Sequence, residues 1–494
     1  MRSILYLFIL FAATFSLVSA APQKVLSPSE DPFYTPPQNY SEYKLGEVIK
    51  KRKSPHKLRS VYLSLNVKNA WQMMYRTSDT LGKPTYAITT LIEPYNANST
   101  RLVQYSIAQD SASVDCPASY AFQYGASMST VTSQVEMFLI QIALDQGWWI
   151  NTADYEGPKS AFTAGRLAGH AVLDSIRAVR NVAETDDVAI EKNADIVLWG
   201  YSGGSLASGW AAGLQKNYAP ELTPQLKGVC LGGFPANITH TIDAIDGGFY
   251  AGILGAGITG LSREYPILTK YIANVLPKSY NWIFNMAANS CLAPAVAYML
   301  YSQVFDGEHR WVPTGRAVFK EPEVVAVLRN NTMGVSIDDM PQIPVFWYHG
   351  RKDNIVPAVN ADILYTQWQE MGIKSLELSI SNTTRHITEA ALGAPAAVAW
   401  ITNRFEGKEP INGCSKTERY SNLLYPGVSK AVVETVRAAG KSVFGFEIGP
   451  ATSENSKVLR RSNGEPMDYD DAVEMKIREE NLKLKKRGLI PERL

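Results

Sequence analysis

Asp195-Ile-Val-Leu-Trp-Gly200-Tyr-Ser202-Gly-Gly204-Ser-Leu-Ala207 is the stretch on which the fold turns. Ile196 to Tyr201 is an apolar run of strand length, and an alanine-rich helical pattern follows from Ser205 to Asn217. Between them lies Gly-x-Ser-x-Gly, in which small residues two before and two after Ser202 let the chain turn sharply from strand into helix. That turn holds a serine oxygen above a sheet. The spacing alone is expected by chance in roughly one chain of this length in six, so its flanks carry the argument. With them, Ser202 is a candidate nucleophile, and the backbone N–H of Gly203 would point at a reacting oxyanion with the helix dipole behind it. The plain alternative is a tight turn with no chemistry.

A serine hydroxyl is a poor nucleophile until a base takes its proton, so a downstream histidine is required. The chain has six histidines, and His386 follows the last core strand in a loop that leads into a helix. His349 is its rival, but it ends a strand beside Gly350, where shaping the loop is the simpler role. An acid must then hold the imidazole in one tautomer. Asp353, in Trp347-Tyr-His-Gly-Arg-Lys-Asp353-Asn-Ile-Val-Pro357, lies directly after one strand and before the strand leading to His386. Asp338 and Asp339 precede the strand and Asp362 falls in a helical pattern. The order Ser202, Asp353, His386 is that of the α/β-hydrolases, not of chymotrypsin or subtilisin.

A second oxyanion donor is expected from the loop after an earlier strand. Leu102 to Ala108 runs into Gln109-Asp110-Ser-Ala-Ser113, and Asp110 or a neighbour could supply it. An acid beside an oxyanion repels it unless protonated or used through its backbone N–H, and composition does not single Asp110 out.

Outward from this core, further strands are expected at Tyr86–Ile92, Trp148–Thr152, Gly228–Gly232, Val345–Tyr348 and Leu376–Ile380. Their nearly continuous apolar character suits a mainly parallel sheet buried on both faces. Helices are expected at Gly165–Ala183 and at Thr388–Arg404, the latter capped by Thr388. The fold class is therefore α/β. From Phe234 to about Val324 the alternation stops, and helical stretches at Ala251–Gly260, Tyr265–Val275 and Tyr280–Tyr301 read as an inserted cap, or else as packing helices of the core. The expected division is a leader over 1–20, a core over 21–233 and 325–450, a cap over 234–324 and a charged extension over 451–494. The stretch from Ala21 to about Pro55, rich in proline, serine and charge, is expected to wrap the surface.

At 494 residues, 46% apolar, 19% charged and with a net charge of +1, the chain has the composition of a well-buried globular protein. The balanced charge argues against a nucleic-acid binder. Arg2, the apolar run Ile4 to Phe15 and the small residues Val18-Ser19-Ala20 form a secretory leader, so a secreted, extracellular protein is expected. Five Asn-x-Ser/Thr acceptors, at Asn39, Asn98, Asn237, Asn330 and Asn382, agree with that route. Four cysteines are too few for a disulfide scaffold, and counting leaves three connectivities open. No His or Cys group has ligand spacing, so neither a metal nor a cofactor is expected.

Several motifs together resemble the fungal secretory lipases of the Candida lipase A type. They are Asp31-Pro-Phe-Tyr-Thr-Pro-Pro37, Gln109-Asp110-Ser-Ala-Ser113 with Cys116-Pro-Ala-Ser-Tyr120, Asp154-Tyr-Glu-Gly-Pro158, the serine elbow, and Asp353 followed by Ile355-Val-Pro. The resemblance covers most of the chain. It implies an α/β-hydrolase core with a helical cap, a triad of Ser202, Asp353 and His386, and an oxyanion hole formed by Gly203 and Asp110. It also implies a Cys116–Cys291 disulfide. The family's second bridge has no counterpart near His386, which leaves Cys414 without an obvious mate and Cys230 as a core residue. A C-terminal flap over the acyl site would fall on Lys441-Ser-Val-Phe-Gly-Phe-Glu-Ile-Gly449, which reads equally well as an edge hairpin.

These expectations converge on a secreted serine lipase that hydrolyses acylglycerol esters through an acyl-enzyme. Its partner would be a lipid or ester substrate, met at a lipid–water interface, with no obligate protein partner implied. A short-chain or lactone carboxylesterase shares the fold and triad. A serine peptidase would need a feature that grips a peptide terminus, and none is seen. An inactive, hydrolase-like binding protein is opposed by the intact triad.

Overall fold

A computed structural model of the chain describes residues 25–60, 65, 67–278 and 281–443. The leader, the extension after 450 and residues Phe444 to Gly449 of the expected flap lie outside the described residues. Ten strands form one sheet: β1 (Val48–Lys53), β2 (Asn69–Ser78), β3 (Pro84–Glu93), β4 (Asn98–Ser106), β5 (Trp148–Ala153), β6 (Asp195–Tyr201), β7 (Leu226–Gly232), β8 (Val345–Gly350), β9 (Ser375–Ser381) and β10 (Gly413–Arg419). Their order is β1-β2-β3-β5-β4-β6-β7-β8-β9-β10. β1, β2, β3 and β5 pair antiparallel in that sequence, and every other neighbouring pair is parallel. The seven predicted strands are all present within this α/β-hydrolase sheet.

Helices of seven residues or more are numbered α1 (Met137–Asp145), α2 (Gly165–Val182), α3 (Gly203–Tyr218), α4 (Ile238–Ile245), α5 (Gly252–Glu264), α6 (Pro266–Val275), α7 (Asn281–Ala288), α8 (Leu292–Tyr298), α9 (Pro322–Asn330), α10 (Val359–Glu370), α11 (His386–Leu392), α12 (Ala394–Phe405) and α13 (Lys430–Val443). α2 is amphipathic: Leu167, Ala171, Val172, Ile176 and Val179 are buried at helical spacing, while Arg166, Arg177 and Arg180 lie off that face. It packs with α3 on one face of the sheet, against Trp71, Trp149, Leu198 and Trp347. α1 and α12 cover the other face, against Trp148, Ile150, Trp199 and Phe346. Adjacent residues such as Trp148 and Trp149 thus serve opposite cores, because side chains alternate across a strand. Truncating one of these buried tryptophans to alanine would cost about 3–5 kcal/mol.

Several expectations are corrected. The 21–55 segment does not only wrap the surface, since Val48–Lys53 pairs with β2 as an edge strand whose charged side chains suit a sheet edge. β4 starts at Asn98 and ends at Ser106, so Ile107 and Ala108 have already left the ladder. α3 begins at Gly203 rather than Ser205. The expected helix Thr388–Arg404 is two helices broken at Gly393, where a Cβ would run into the Tyr348 ring and Glu389. Thr388 is not its N-cap. Arg385 holds that position, and the Thr388 hydroxyl accepts its backbone N–H from inside the first turn.

Between β7 and β8 the chain forms helices α4 to α9, with the predicted Tyr280–Tyr301 stretch divided into α7 and α8 around Cys291. Glycines let these helices approach closely. A Cβ on Gly252 of α5 would collide with the Ala295 carbonyl of α8, and one on Gly260 would strike the backbone of Phe162. α9 runs across residue 324, where the core was expected to resume.

Candidate active site

The sheet's parallel strands deliver the site at their C-terminal ends. β6 ends at Tyr201, and Ser202 then adopts φ 52° and ψ −125° before α3 begins. This conformation is uncommon for a residue with a side chain and persists only where the surroundings over-determine it. Here glycines provide the room: a Cβ on Gly200 would strike the backbone of Gly204, and one on Gly204 would strike the Ser106 carbonyl at the end of β4.

Three predicted side chains meet above this turn. Ser202 Oγ lies 2.8 Å from His386 Nε2, and His386 Nδ1 lies 2.7 Å from Asp353 Oδ2. The other Asp353 oxygen accepts the backbone N–H groups of Ile355 (2.9 Å) and Val356 (2.7 Å). Burial pushes the Asp353 carboxyl up, but the adjacent His386 ring and these hydrogen bonds outweigh it and hold it below the ordinary carboxylate range. The Tyr201 hydroxyl donates to the His386 carbonyl at 2.6 Å, holding His386 from the strand that leads to Ser202.

His349 is fully buried beside Asp353. Its Nε2 lies 2.9 Å from the Val356 carbonyl and 3.4 Å from Asp353 Oδ2, and burial lowers its pKa. It therefore supports the acid's loop and does not reach Ser202. The other candidate acids are engaged elsewhere: Asp339 with Arg166, and Asp362 with Arg351 and Lys416.

The loop after β4 brings Asp110 against the serine turn. Asp110 has φ 49°, and its Oδ1 is buried without a hydrogen-bond partner. Burial raises its carboxyl to about 7, partly offset by His386. The start of this loop is fixed from below, where Glu136 accepts the Ala108 N–H at 3.1 Å and the Tyr105 hydroxyl at 2.8 Å. Burial raises Glu136 to about 8.

From this site an apolar cavity of about 150 Å³ extends among helices α4, α5, α6, α7 and α9. Its wall includes Leu206, Ile242, Leu254, Leu268, Trp311 and Val324, while Asp110 and Ser202 lie at one end. Cys116, just past the Asp110 loop, is bridged to Cys291 at the start of α8 with a Cα–Cα distance of 5.6 Å. Cys230 is buried in β7 and Cys414 half-buried in β10, and both are free.

Of the five glycosylation acceptors, Asn39 and Asn382 are exposed. Asn98 and Asn237 are half-buried and accept backbone N–H groups two residues on. The Asn330 amide donates to the Tyr265 hydroxyl, and its oxygen accepts from Arg166. Among the described residues no group of three or more His, Cys, Asp or Glu is placed to hold a metal ion.

The sequence gives no sign of Tyr201 as the anchor of the His386 carbonyl or of Glu136 as the support of the Asp110 loop. Tyr155 and Glu156 stand out there only as part of a motif. Their partners are remote in sequence, so no local pattern could have revealed the contacts.

A family model described as secretory lipase matches residues 122–413. The chain is 43% identical to lipase 1 of Candida albicans over 448 residues, which is 90% of this chain and 95% of the relative. It is 33% identical to lipase A of Arthroderma benhamiae, over 86% of this chain and 90% of that protein. Among solved structures, Candida antarctica lipase A in its closed state aligns with a TM-score of 0.74 at 27% identity, covering 84% of this chain and 96% of that one.

Proposed function

The chain belongs to the secretory lipase family, and from that premise we propose that it is a secreted serine lipase acting on acylglycerol esters. The observation that carries the proposal is the continuous Ser202, His386, Asp353 hydrogen-bonded chain whose serine lines an apolar cavity. In this reading Ser202 Oγ attacks the ester carbonyl while His386 Nε2 takes its proton. The Gly203 backbone N–H and Asp110 stabilise the tetrahedral oxyanion. Collapse expels the alcohol, which receives the proton from His386, and leaves an acyl-enzyme on Ser202. Water, activated by the same imidazole, then releases the fatty acid and restores the serine. Asp353 stays ionised throughout and orients the ring.

Residues 234–324 act as the cap in this reading, and the aliphatic wall they give the cavity supports an acyl chain as the group received. The leader and the relatives' family support secretion, and exposure favours Asn39 and Asn382 as sugar acceptors.

The test is hydrolysis of an ester series from acetate to long-chain acyl, with an emulsified triacylglycerol, by the native protein and by Ser202→Ala. Long-chain and emulsion turnover that is lost in the variant is expected. Turnover confined to short chains would replace the lipase by an esterase, and equal activity of variant and native protein would overturn the nucleophile.

A further inference from the structure

The motif Asp154-Tyr-Glu-Gly-Pro158 takes no part in the chemistry above, yet the loop it opens grips the oxyanion loop at several points. The Tyr155 hydroxyl donates to the Ile107 carbonyl at 2.7 Å. Glu156 Oε2 accepts from Gln109 Nε2 at 2.6 Å, its Oε1 lies 3.4 Å from the Ser111 N–H, and the same carboxyl takes the Asp110 backbone N–H. Ser160 Oγ lies 3.2 Å from Glu156 Oε2, 2.8 Å from the Ser111 carbonyl and 3.0 Å from the Ser113 carbonyl. Asp110 is thus bracketed on both sides by residues tied to one carboxylate.

Burying that group is costly. Glu156 is 2% exposed, and desolvation, with Asp110 adding to it, holds its carboxyl well above the ordinary range. The nearest basic group to act on it, Arg263 of α5, spends its hydrogen bonds on the Ala112 and Lys159 carbonyls, which gather the same two loops. Both loops also hold a strained residue, Asp110 at φ 49° and Ser160 at φ 48°. Strain of this kind survives only where neighbours enforce it. An oxyanion donor acts by being in place before charge develops, so the group that enforces the loop contributes to rate without touching substrate.

We infer that Glu156 is a positioning residue that holds Gln109 to Ser113 so that Asp110 stays seated against Gly203 beside Ser202. The inference rests on the reading above, in which Asp110 is a donor.

The experiment compares the full-length native protein with Glu156→Gln, Ser160→Gly and Ser202→Ala. It measures kcat and KM on p-nitrophenyl octanoate, affinity for an alkyl boronic acid that forms a tetrahedral adduct with the serine, and thermal unfolding. Gln keeps the shape of Glu156 but turns one acceptor into a donor facing Gln109. Glycine at 160 removes the hydroxyl and tolerates the positive φ.

Both variants are expected to lose roughly 10- to 100-fold in kcat with KM nearly unchanged, the cost of a donor misplaced by less than about 1 Å. Boronate affinity should fall by the same factor while unfolding stays close to native. A folded Glu156→Gln with native kcat overturns the inference, as does a loss of kcat with boronate affinity intact. Should Glu156→Gln fail to fold, Ser160→Gly carries the same expectations and the same power to refute. An inert Ser202→Ala beside a fully active Glu156→Gln sinks this inference alone, whereas an active Ser202→Ala sinks the reading beneath it.

Discussion

A Cβ placed on Gly203 would fall within the van der Waals envelope of Asp110 Oδ1, so the two proposed oxyanion residues are in contact where the chain leaves the paired strands β4 and β6. Gly203→Ala should therefore push Asp110 away or tilt the start of α3. Either displacement costs about 10²-fold or more in kcat, since removing one such donor costs 10² to 10³. Steady-state kinetics beside a thermal melt would check this, with the melt expected to move little because the clash meets only the end of one side chain.

Asp353→Asn keeps the shape of the acid but turns one of its oxygens into an amide donor. The His386 ring would then lose the partner that fixes its tautomer, and kcat should drop about 10⁴-fold. KM for the same ester should change little, because Asp353 lies behind His386 and does not line the cavity. A loss of less than tenfold would remove Asp353 from the triad.

Burial raises Glu389 from its ordinary 4.5 to about 7, and likewise raises Asp110 and Asp154 to about 7 and Glu136 to about 8. Between pH 4 and these values the folded chain holds protons that the unfolded chain has released. Stability should therefore be greatest at the acid side of this window and fall as pH rises through 7 to 8. For Glu389 alone the change is on the order of 3 kcal/mol. Thermal melts at pH 5 and pH 8, at fixed ionic strength, should show the lower transition at pH 8. Glu389→Gln should reduce the difference, since the amide cannot titrate but can still meet Thr384 and Asn422, while Asp110, Asp154 and Glu136 keep the rest.

The Cys116–Cys291 bridge closes a span of 175 residues and joins the neighbourhood of the oxyanion loop to α8. Replacing both cysteines by serine should cost about 2–5 kcal/mol, through the freedom returned to the unfolded chain. Denaturant unfolding of the double variant would measure it. A midpoint equal to that of the native protein would mean that packing alone holds α8 in place.

Ser202, Asp353 and His386 were legible because each sits beside a local signal: a glycine-flanked turn after an apolar strand, a loop after β8, and a loop after β9. Asp110 was not, because no local pattern marks it and an ionised carboxyl beside an oxyanion argues against the role. β10 escaped detection because Gly413-Cys-Ser-Lys-Thr-Glu-Arg419 is polar, as an edge strand paired on one side can be. β2 escaped because its buried Gln72, Met73 and Met74 interrupt the β-branched pattern that marks a core strand. The break at Gly393 was hidden because alanines on both sides continue a helical pattern, and only the Tyr348 ring packed across the gap explains it.

The residues proposed for the chemistry sit at the ends of strands scattered from residue 106 to residue 386, whereas most of the cavity wall comes from one unbroken stretch between β7 and β8. Bond cleavage and chain selection are thus written in separable parts of the gene. Exchanging that stretch with a relative's would be a single-cassette graft that carries over the donor's taste in fatty acids while the recipient's cutting machinery stays its own.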